Sequence, residues 1–292
     1  MLIGHQLTWQ FLKKTKEMGK LAHAYLFIGQ EKLGKKTLAK EWVSLLLENK
    51  NIYSSPDVIL LEGNYSEIKI GQIRDLIWQL SLKPLEAPLK IAIIDNAHLM
   101  NQEAQTCLLK TLEEPKGKSL LVLITHQPAS LLPTIISRSQ IIKFKPVEKE
   151  EIKKYLLKQG LSEKEAEEIT QIALGRPGLA IEFLRDKQKR NDFYQKIKEI
   201  KNLSNASLAV RFQYIKNLNQ ELTDLLNILD VWLIYFRTIL MQQINSQESG
   251  SLNQSSLKKL KNLLEKIQET KSLISTTNVN PQLALENLML AF

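Results

Sequence analysis

The sequence predicts an α/β domain built on a five-stranded parallel sheet, followed by a chain that is helical to its end. Three observations predict it. Five short apolar runs, AYLFI (24–28), DVILL (57–61), KIAIID (90–95), SLLVLIT (119–125) and QIIKF (140–144), alternate with segments of helical period in the first half. The runs are continuous rather than alternating in polarity, the pattern of strands buried on both faces beneath layers of helices. After Pro146 the pattern is helical in period and no strand is expected.

The first run leads into Gly29-Gln30-Glu31-Lys32-Leu33-Gly34-Lys35-Lys36-Thr37, and a helix-period segment follows. This is G-x-x-x-x-G-K between a strand and a helix. In that setting glycines let backbone N–H groups approach phosphates, Lys35 reaches the outer phosphates, and the helix N-terminus favours an anion. Without a ligand the same residues make a tight strand-to-helix turn, so nucleotide binding stays open. The position after Lys35 ordinarily holds a Ser or Thr whose hydroxyl ligates Mg²⁺. Here it is Lys36, with Thr37 one place late. An ammonium there repels the metal or takes its place, so metal-dependent hydrolysis is expected to suffer.

The third run ends in Asp95, placed to orient a metal if the glycine turn is a phosphate loop; alone it would read as a strand-end or capping residue. Asn96 follows where an acid would polarise water, and an amide is a poor base. His98 and His23 have no second histidine or cysteine nearby and read as structural. Cys107, among helix-period leucines, reads as a small core residue. No metal site is expected.

After Pro146 helical segments are expected near 148–159, near 162–173 and from Pro177, the last preceded by the stop signal Leu174-Gly175-Arg176-Pro177-Gly178. These divide the chain into an α/β domain over 1–146, a small helical domain over 147–188 and a larger helical domain over 189–292. In the last, Leu222–Met241 is apolar nearly all round and belongs inside a bundle. Leu257, Leu260, Leu263, Leu264 and Ile267 share one stripe. The polar stretch INSQESGSLNQSS between them reads as a mobile loop.

Composition narrows the function classes. With 43% apolar and 24% charged residues the chain is expected to fold throughout rather than remain disordered. One cysteine excludes an internal disulfide framework and any cysteine-based zinc site. The opening residues lack a signal-peptide core, and the greasiest stretch, Val231–Phe236, ends at Arg237, so a cytoplasmic protein without membrane spans is expected. The formal charge of +9 comes largely from dispersed lysine pairs, which read as a solvated surface and do not by themselves identify DNA as a ligand.

Together, His23-Ala24-Tyr25-Leu26-Phe27, Leu108-Leu109-Lys110-Thr111-Leu112-Glu113-Glu114-Pro115 and Leu132-Pro133-Thr134-Ile135-Ile136-Ser137-Arg138-Ser139 resemble the clamp-loader branch of the AAA+ proteins. The resemblance covers about residues 3–180. It implies an α/β AAA+ P-loop domain with a five-stranded parallel sheet, a helical lid, and an all-α collar that assembles with its counterparts into a pentamer. The last motif is similar to a serine-arginine-cysteine motif, with Ser139 in the cysteine's place and Arg138 intact. In the family that arginine is a finger offered in trans to a neighbour's ATP, whereas a lone Ser-Arg-Ser would read as a surface ion pair.

Within this branch, Lys36 and Asn96 favour the delta prime group, which lacks a working site, over the gamma and tau motors. A motor also has an arginine three places after a glycine such as Gly175, and that place is Gly178. The cysteine-rich zinc module of many relatives is absent, with only NKNIYSSP in its position. The resemblance thus implies a subunit of the DNA polymerase III holoenzyme with a degenerate nucleotide site at Gly29, Gly34, Lys35, Lys36, Thr37 and Asp95. It would require no cofactor of its own, with ATP and Mg²⁺ used by its partners and weak nucleotide binding left open. Those partners would be gamma- or tau-like motors and a delta subunit, with the sliding clamp and primed DNA met through the complex. The alternatives are an active motor ATPase of the same branch and a stand-alone DNA-binding AAA+ protein.

Overall fold

The computed structural model describes residues 2–48, 51–63, 67–115, 117–218, 221–245 and 254–292. The elements of the first half run α1 (Gln6–Glu17), β1 (Ala24–Ile28), α2 (Lys35–Leu46), β2 (Val58–Glu62), α3 (Ile70–Ser81), β3 (Lys90–Asp95), α4 (Gln102–Glu113), β4 (Ser119–Thr125), α5 (Pro133–Ser137), β5 (Gln140–Lys143) and α6 (Lys149–Lys158). The strands form one parallel sheet in the order β2-β3-β4-β1-β5.

Successive side chains of a strand point to opposite faces, and each face here has its own core. Tyr25, Phe27, Ile91, Ile93, Val122 and Ile124 pack with Leu12 of α1 and Leu38, Trp42 and Val43 of α2. Ala24, Leu26, Ala92, Ile94, Leu121 and Leu123 pack with Ile73 and Leu76 of α3, Ala104 and Leu108 of α4 and Ile135 of α5. Burial on both faces holds for β1, β3 and β4. The edge strands β2 and β5 are only partly covered, because each has a neighbour on one side alone.

The second strand starts one residue later than its apolar run. Asp57 lies just before it: its main-chain carbonyl accepts from the Ile91 N–H at 2.9 Å, and its buried carboxylate accepts hydrogen bonds from the N–H groups of Leu85, Glu86 and Ala87 at 2.8–3.1 Å and lies 3.3 Å from the Lys90 ammonium. Glu62 joins the strand at its far end and pairs in register with Asp95.

The second half continues with α7 (Glu163–Ala173), α8 (Pro177–Arg185), α9 (Lys187–Ser204), α10 (Leu208–Lys216), α11 (Leu222–Asn245), α12 (Gln254–Thr276) and α13 (Pro281–Met289). Packing divides the chain into two units. One comprises residues 1–159 and 175–179 and so includes α6 with the sheet; the other comprises 160–174 and 180–292, and in it α7 packs with α11.

In the second unit α11 is the buried centre, with Leu229 and Trp232 fully enclosed against Leu263, Leu264 and Ile267 of α12 and Leu285, Leu288 and Met289 of α13. Arg211 of α10 donates to the carbonyls of Leu203, Ser204 and Met289, placing a cation at the carboxyl ends of α9 and α13. Both α11 and α12 extend into the polar stretch read as a loop; residues 246–253 lie outside the described residues.

Candidate functional site: the P-loop and the Arg138 edge

Parallel strands carry their ligand sites beyond their carboxyl ends, where the first βα turn meets a helix N-terminus. Here β1 ends at Ile28, the loop Gly29–Gly34 follows, and α2 opens at Lys35 with Gly34 as its N-cap at φ 89°. Glycine is required at such a φ. A β-carbon on Gly29 would come within 2.7 Å of the Phe144 carbonyl oxygen, which packs that end of the loop tightly.

The loop is held by the protein around it. The Gly178 N–H donates to the Lys32 carbonyl at 2.8 Å, and His5 Nε2 lies 2.8 Å from the Leu33 carbonyl. The Lys35 ammonium donates to the carbonyls of Gly29 and Gln30 at 2.5 and 2.6 Å. Lys35 is 7% exposed and, among the described residues, has no carboxylate within ion-pair distance. Burial pulls its pKa down to about 8, with Glu31 and Asp95 opposing more weakly. A buried cation facing only carbonyls is electrostatically incomplete, and an anion delivered to the loop would complete it.

Lys36 does not point at that anion position alone. Its ammonium lies 2.8 Å from a Glu62 carboxylate oxygen and 3.0 Å from Asp95 Oδ2. Burial lowers the Lys36 pKa, but the hydrogen bonds to Glu62 and Asp95 outweigh it and leave the group raised. Glu62 is correspondingly lowered, first by the hydrogen bond from Lys36. Lys40, one turn along α2, lies 3.4 Å from the other Glu62 oxygen. The packing of α2 over β3 and β4 carries these lysines to the ends of β3 and β2.

The Mg²⁺ of an ordinary P-loop site needs a hydroxyl ligand and a free carboxylate. Neither is offered. The hydroxyl's place is taken by Lys36, Thr37 lies one position on and is exposed, and Asp95 is already paired with an ammonium. These residues do not fit the metal. Asn96 is in the left-handed region at φ 54° and turns its side-chain amide to the Gly63 carbonyl at 3.1 Å, so it braces the β2 and β3 ends as a structural donor.

His98 packs edge-on against His126 with ring centroids 4.2 Å apart, and His126 Nε2 is 3.0 Å from Glu31 of the loop. Burial and the neighbouring His126 lower the His98 pKa to about 4, so it is neutral near pH 7. His23 is exposed, and Cys107 packs at the margin of the α3–α4 core. Among the described residues no cluster of three or more His, Cys, Asp or Glu side chains could hold a metal, and no helix is long and apolar enough to cross a membrane.

Arg138 lies elsewhere. It caps α5 just before β5, whose first residue Gln140 pairs with Tyr25 near the amino end of β1, while the P-loop leaves the carboxyl end of that strand. The two sites therefore lie toward opposite ends of the sheet. Arg138 Nη2 is 3.0 Å from Glu113 Oε1 at the end of α4, and both side chains stay well exposed at 39% and 48%.

The structure thus gathers Gly29, Gly34, Lys35, Lys36 and Asp95 in one place and sets Arg138 apart. Sequence reasoning missed Glu62, His5, Glu31 and His126. Glu62 carries a faint signal, an acid closing an apolar run; the others carry none, because their roles depend on sheet order and on chain segments far away in sequence.

Residues 4–148 match the family described as DNA polymerase III, delta subunit. The chain is 36% identical over 135 residues to the DNA polymerase III subunit delta' of Pseudomonas aeruginosa, covering 40% of this chain and 41% of that protein. It is 38% identical over 161 residues to the subunit delta' of Bacillus subtilis, covering 50% and 49%. The aligned part thus spans about half the length of these curated relatives or less. Among solved structures, a DNA polymerase III gamma subunit-related protein from Thermotoga maritima superposes with a TM-score of 0.58 over 96% of this chain and 97% of that one, at 20% identity, which shows a shared fold. An α/β AAA+ fold, a P-loop with its motifs in order and these relatives lead to one conclusion: the chain belongs to the DNA polymerase III clamp-loader family.

Proposed function

We propose that this chain is a delta prime-type clamp-loader subunit, one that does not hydrolyse ATP itself but braces the ring and offers Arg138 to the ATP site of a neighbouring gamma- or tau-like motor. The neighbours would be motors and a delta subunit in a hetero-pentamer that opens a sliding clamp and places it on primed DNA in the cytoplasm. Residues 147–188 would serve as the lid and 189–292 as the collar. The observation that carries this reading is the Lys36 bridge to Glu62 and Asp95, which takes up the carboxylates a hydrolytic metal would need. No cofactor is then required by the chain itself.

Arg138 supports the second half of the proposal. Its guanidinium is permanently charged, half exposed, and set toward the other end of the sheet from its own P-loop, so its use lies outside its own subunit. Arginine fingers contribute about 10³–10⁵ in rate, part of which would be visible in a ring with several sites.

The test is a reconstituted complex carrying Arg138→Ala, with ATP turnover of the isolated chain as control. Negligible turnover alone, with normal assembly but depressed DNA-stimulated turnover and clamp loading in the mutant complex, is the expected result. Turnover by the isolated chain that Lys35→Ala abolishes would instead identify a motor, and an unaffected mutant complex would remove the finger role.

A further inference from the structure

The same pair of lysines that prevents metal chemistry also supplies the metal's charge. In a P-loop site a divalent cation offsets the carboxylates at the strand ends, and the loop lysine is left to meet the phosphates. Here the carboxylates of Asp95 and Glu62 are met by the ammonium groups of Lys36 and Lys40, at 2.8–3.4 Å. Two ammonium groups carry the charge of one divalent cation, and they are covalently held. Among the described residues, Lys35 is buried with no carboxylate within ion-pair distance and donates only to the carbonyls of Gly29 and Gln30.

We infer that the P-loop is a metal-independent polyphosphate site, in which Lys36, anchored by Asp95 and Glu62, stands permanently where a magnesium ion would otherwise enter with a nucleoside triphosphate. The ligand class is a nucleoside di- or triphosphate without its metal. Three features carry the inference. Lys36 is fixed from two sides, so little side-chain entropy remains to be lost when an anion arrives. Asp95 and Glu62 are neutralised within the chain, so the approaching phosphates meet no uncompensated carboxylate. The glycine turn and the N-terminus of α2 supply N–H groups that do not depend on a metal.

This inference deepens the proposed non-catalytic role and rests on the same reading of the P-loop, but it can fail separately. ATP that binds without a metal has lost the Lewis acid that activates its γ-phosphate, so occupancy would serve the fold or assembly rather than turnover.

The experiment is a calorimetric titration of the full chain with ATP, once in excess Mg²⁺ and once in EDTA, at matched ionic strength, with tripolyphosphate as a second probe. Binding in EDTA at least as tight as in Mg²⁺ is the expected result. Binding weakened about tenfold or more by EDTA, or no binding at millimolar ATP, would overturn the inference.

The variant Lys36→Thr restores a hydroxyl and frees Asp95 and Glu62. It should bind ATP about tenfold more tightly with Mg²⁺ than without, and Mn²⁺ alone should raise its Tm while leaving that of the parent chain unchanged. A parent chain stabilised by Mn²⁺ alone would sink the idea. Turnover in Mg²⁺ that Lys35→Ala abolishes would remove the non-catalytic reading and this inference together, whereas Mg²⁺-dependent binding without turnover would remove this inference alone. If Lys36→Thr does not fold, the paired titrations of the parent chain still decide.

Discussion

The Gly178 N–H donates to the Lys32 carbonyl at 2.8 Å, and a β-carbon built on Gly178 would lie 2.8 Å from that same oxygen. Close approach of two backbones is the purpose of glycine at this position. The residue where a motor of this family carries an arginine is therefore closed by packing as well as by sequence, since any side chain would push the P-loop and the start of α8 apart.

Gly178→Ala is accordingly expected to destabilise the first unit by about 1–3 kcal/mol, the usual cost of forcing extra volume into a packed contact. Thermal unfolding measures it. The same substitution at Gly71, in the first turn of α3 with open space around it, should be neutral or slightly stabilising, because alanine suits a helix better than glycine by up to about 1 kcal/mol. Equal effects at the two glycines would show that the Lys32 contact is not what constrains Gly178.

Asp57 makes a pH prediction. Burial raises a carboxyl pKa, but three backbone N–H donors and Lys90 outweigh it and bring Asp57 from 3.8 to about 2. The unfolded chain therefore binds this proton more readily, and the stabilisation is complete above pH 3.8 and lost as pH falls through about 2. In denaturant unfolding, the parent chain should show this slope and Asp57→Asn should lack it. At pH 7 the variant should be less stable by roughly 3–5 kcal/mol, since the amide has a single acceptor oxygen and Lys90 is left buried without its counter-charge. A variant that keeps the acid slope would place its origin at other carboxylates.

Lys35 predicts a slope of the same sign in the alkaline range. Its pKa is about 8 when folded against 10.5 in the reference state, so between these values the unfolded chain holds the proton more often and stability rises with pH. Lys35→Met should abolish that rise and stabilise the protein at pH 7 by roughly 1–3 kcal/mol. Such a gain would mean that the lysine is kept at a cost to folding, as groups in binding sites commonly are. A loss of stability would instead assign Lys35 to holding the loop through its bonds to Gly29 and Gln30. Denaturant midpoints at pH 7 and 10 separate the two.

Much of this protein was legible in its sequence because the relevant signals are local. Continuous apolar runs mark strands, though not which of them are central and which lie at the sheet edges; G-x-x-x-x-G-K marks the turn after β1; a proline and a glycine mark the breaks around residues 174–178. Cys107, read as core from its helical neighbours, lies half-buried at the margin of that core. Tertiary structure alone decided what Lys36 does. Its partner Glu62 lies 26 residues away in sequence and meets it only because β2 pairs with β3, beside Asp95, while α2 crosses the sheet above them. The same holds for Gly178 against Lys32 and for Arg138 against Glu113. Strand order and helix crossing arise from packing two cores on one sheet, and neither leaves a period in the sequence. The sequence thus determined which elements form and which groups a phosphate loop would offer, and the order of the strands decided which charges face one another.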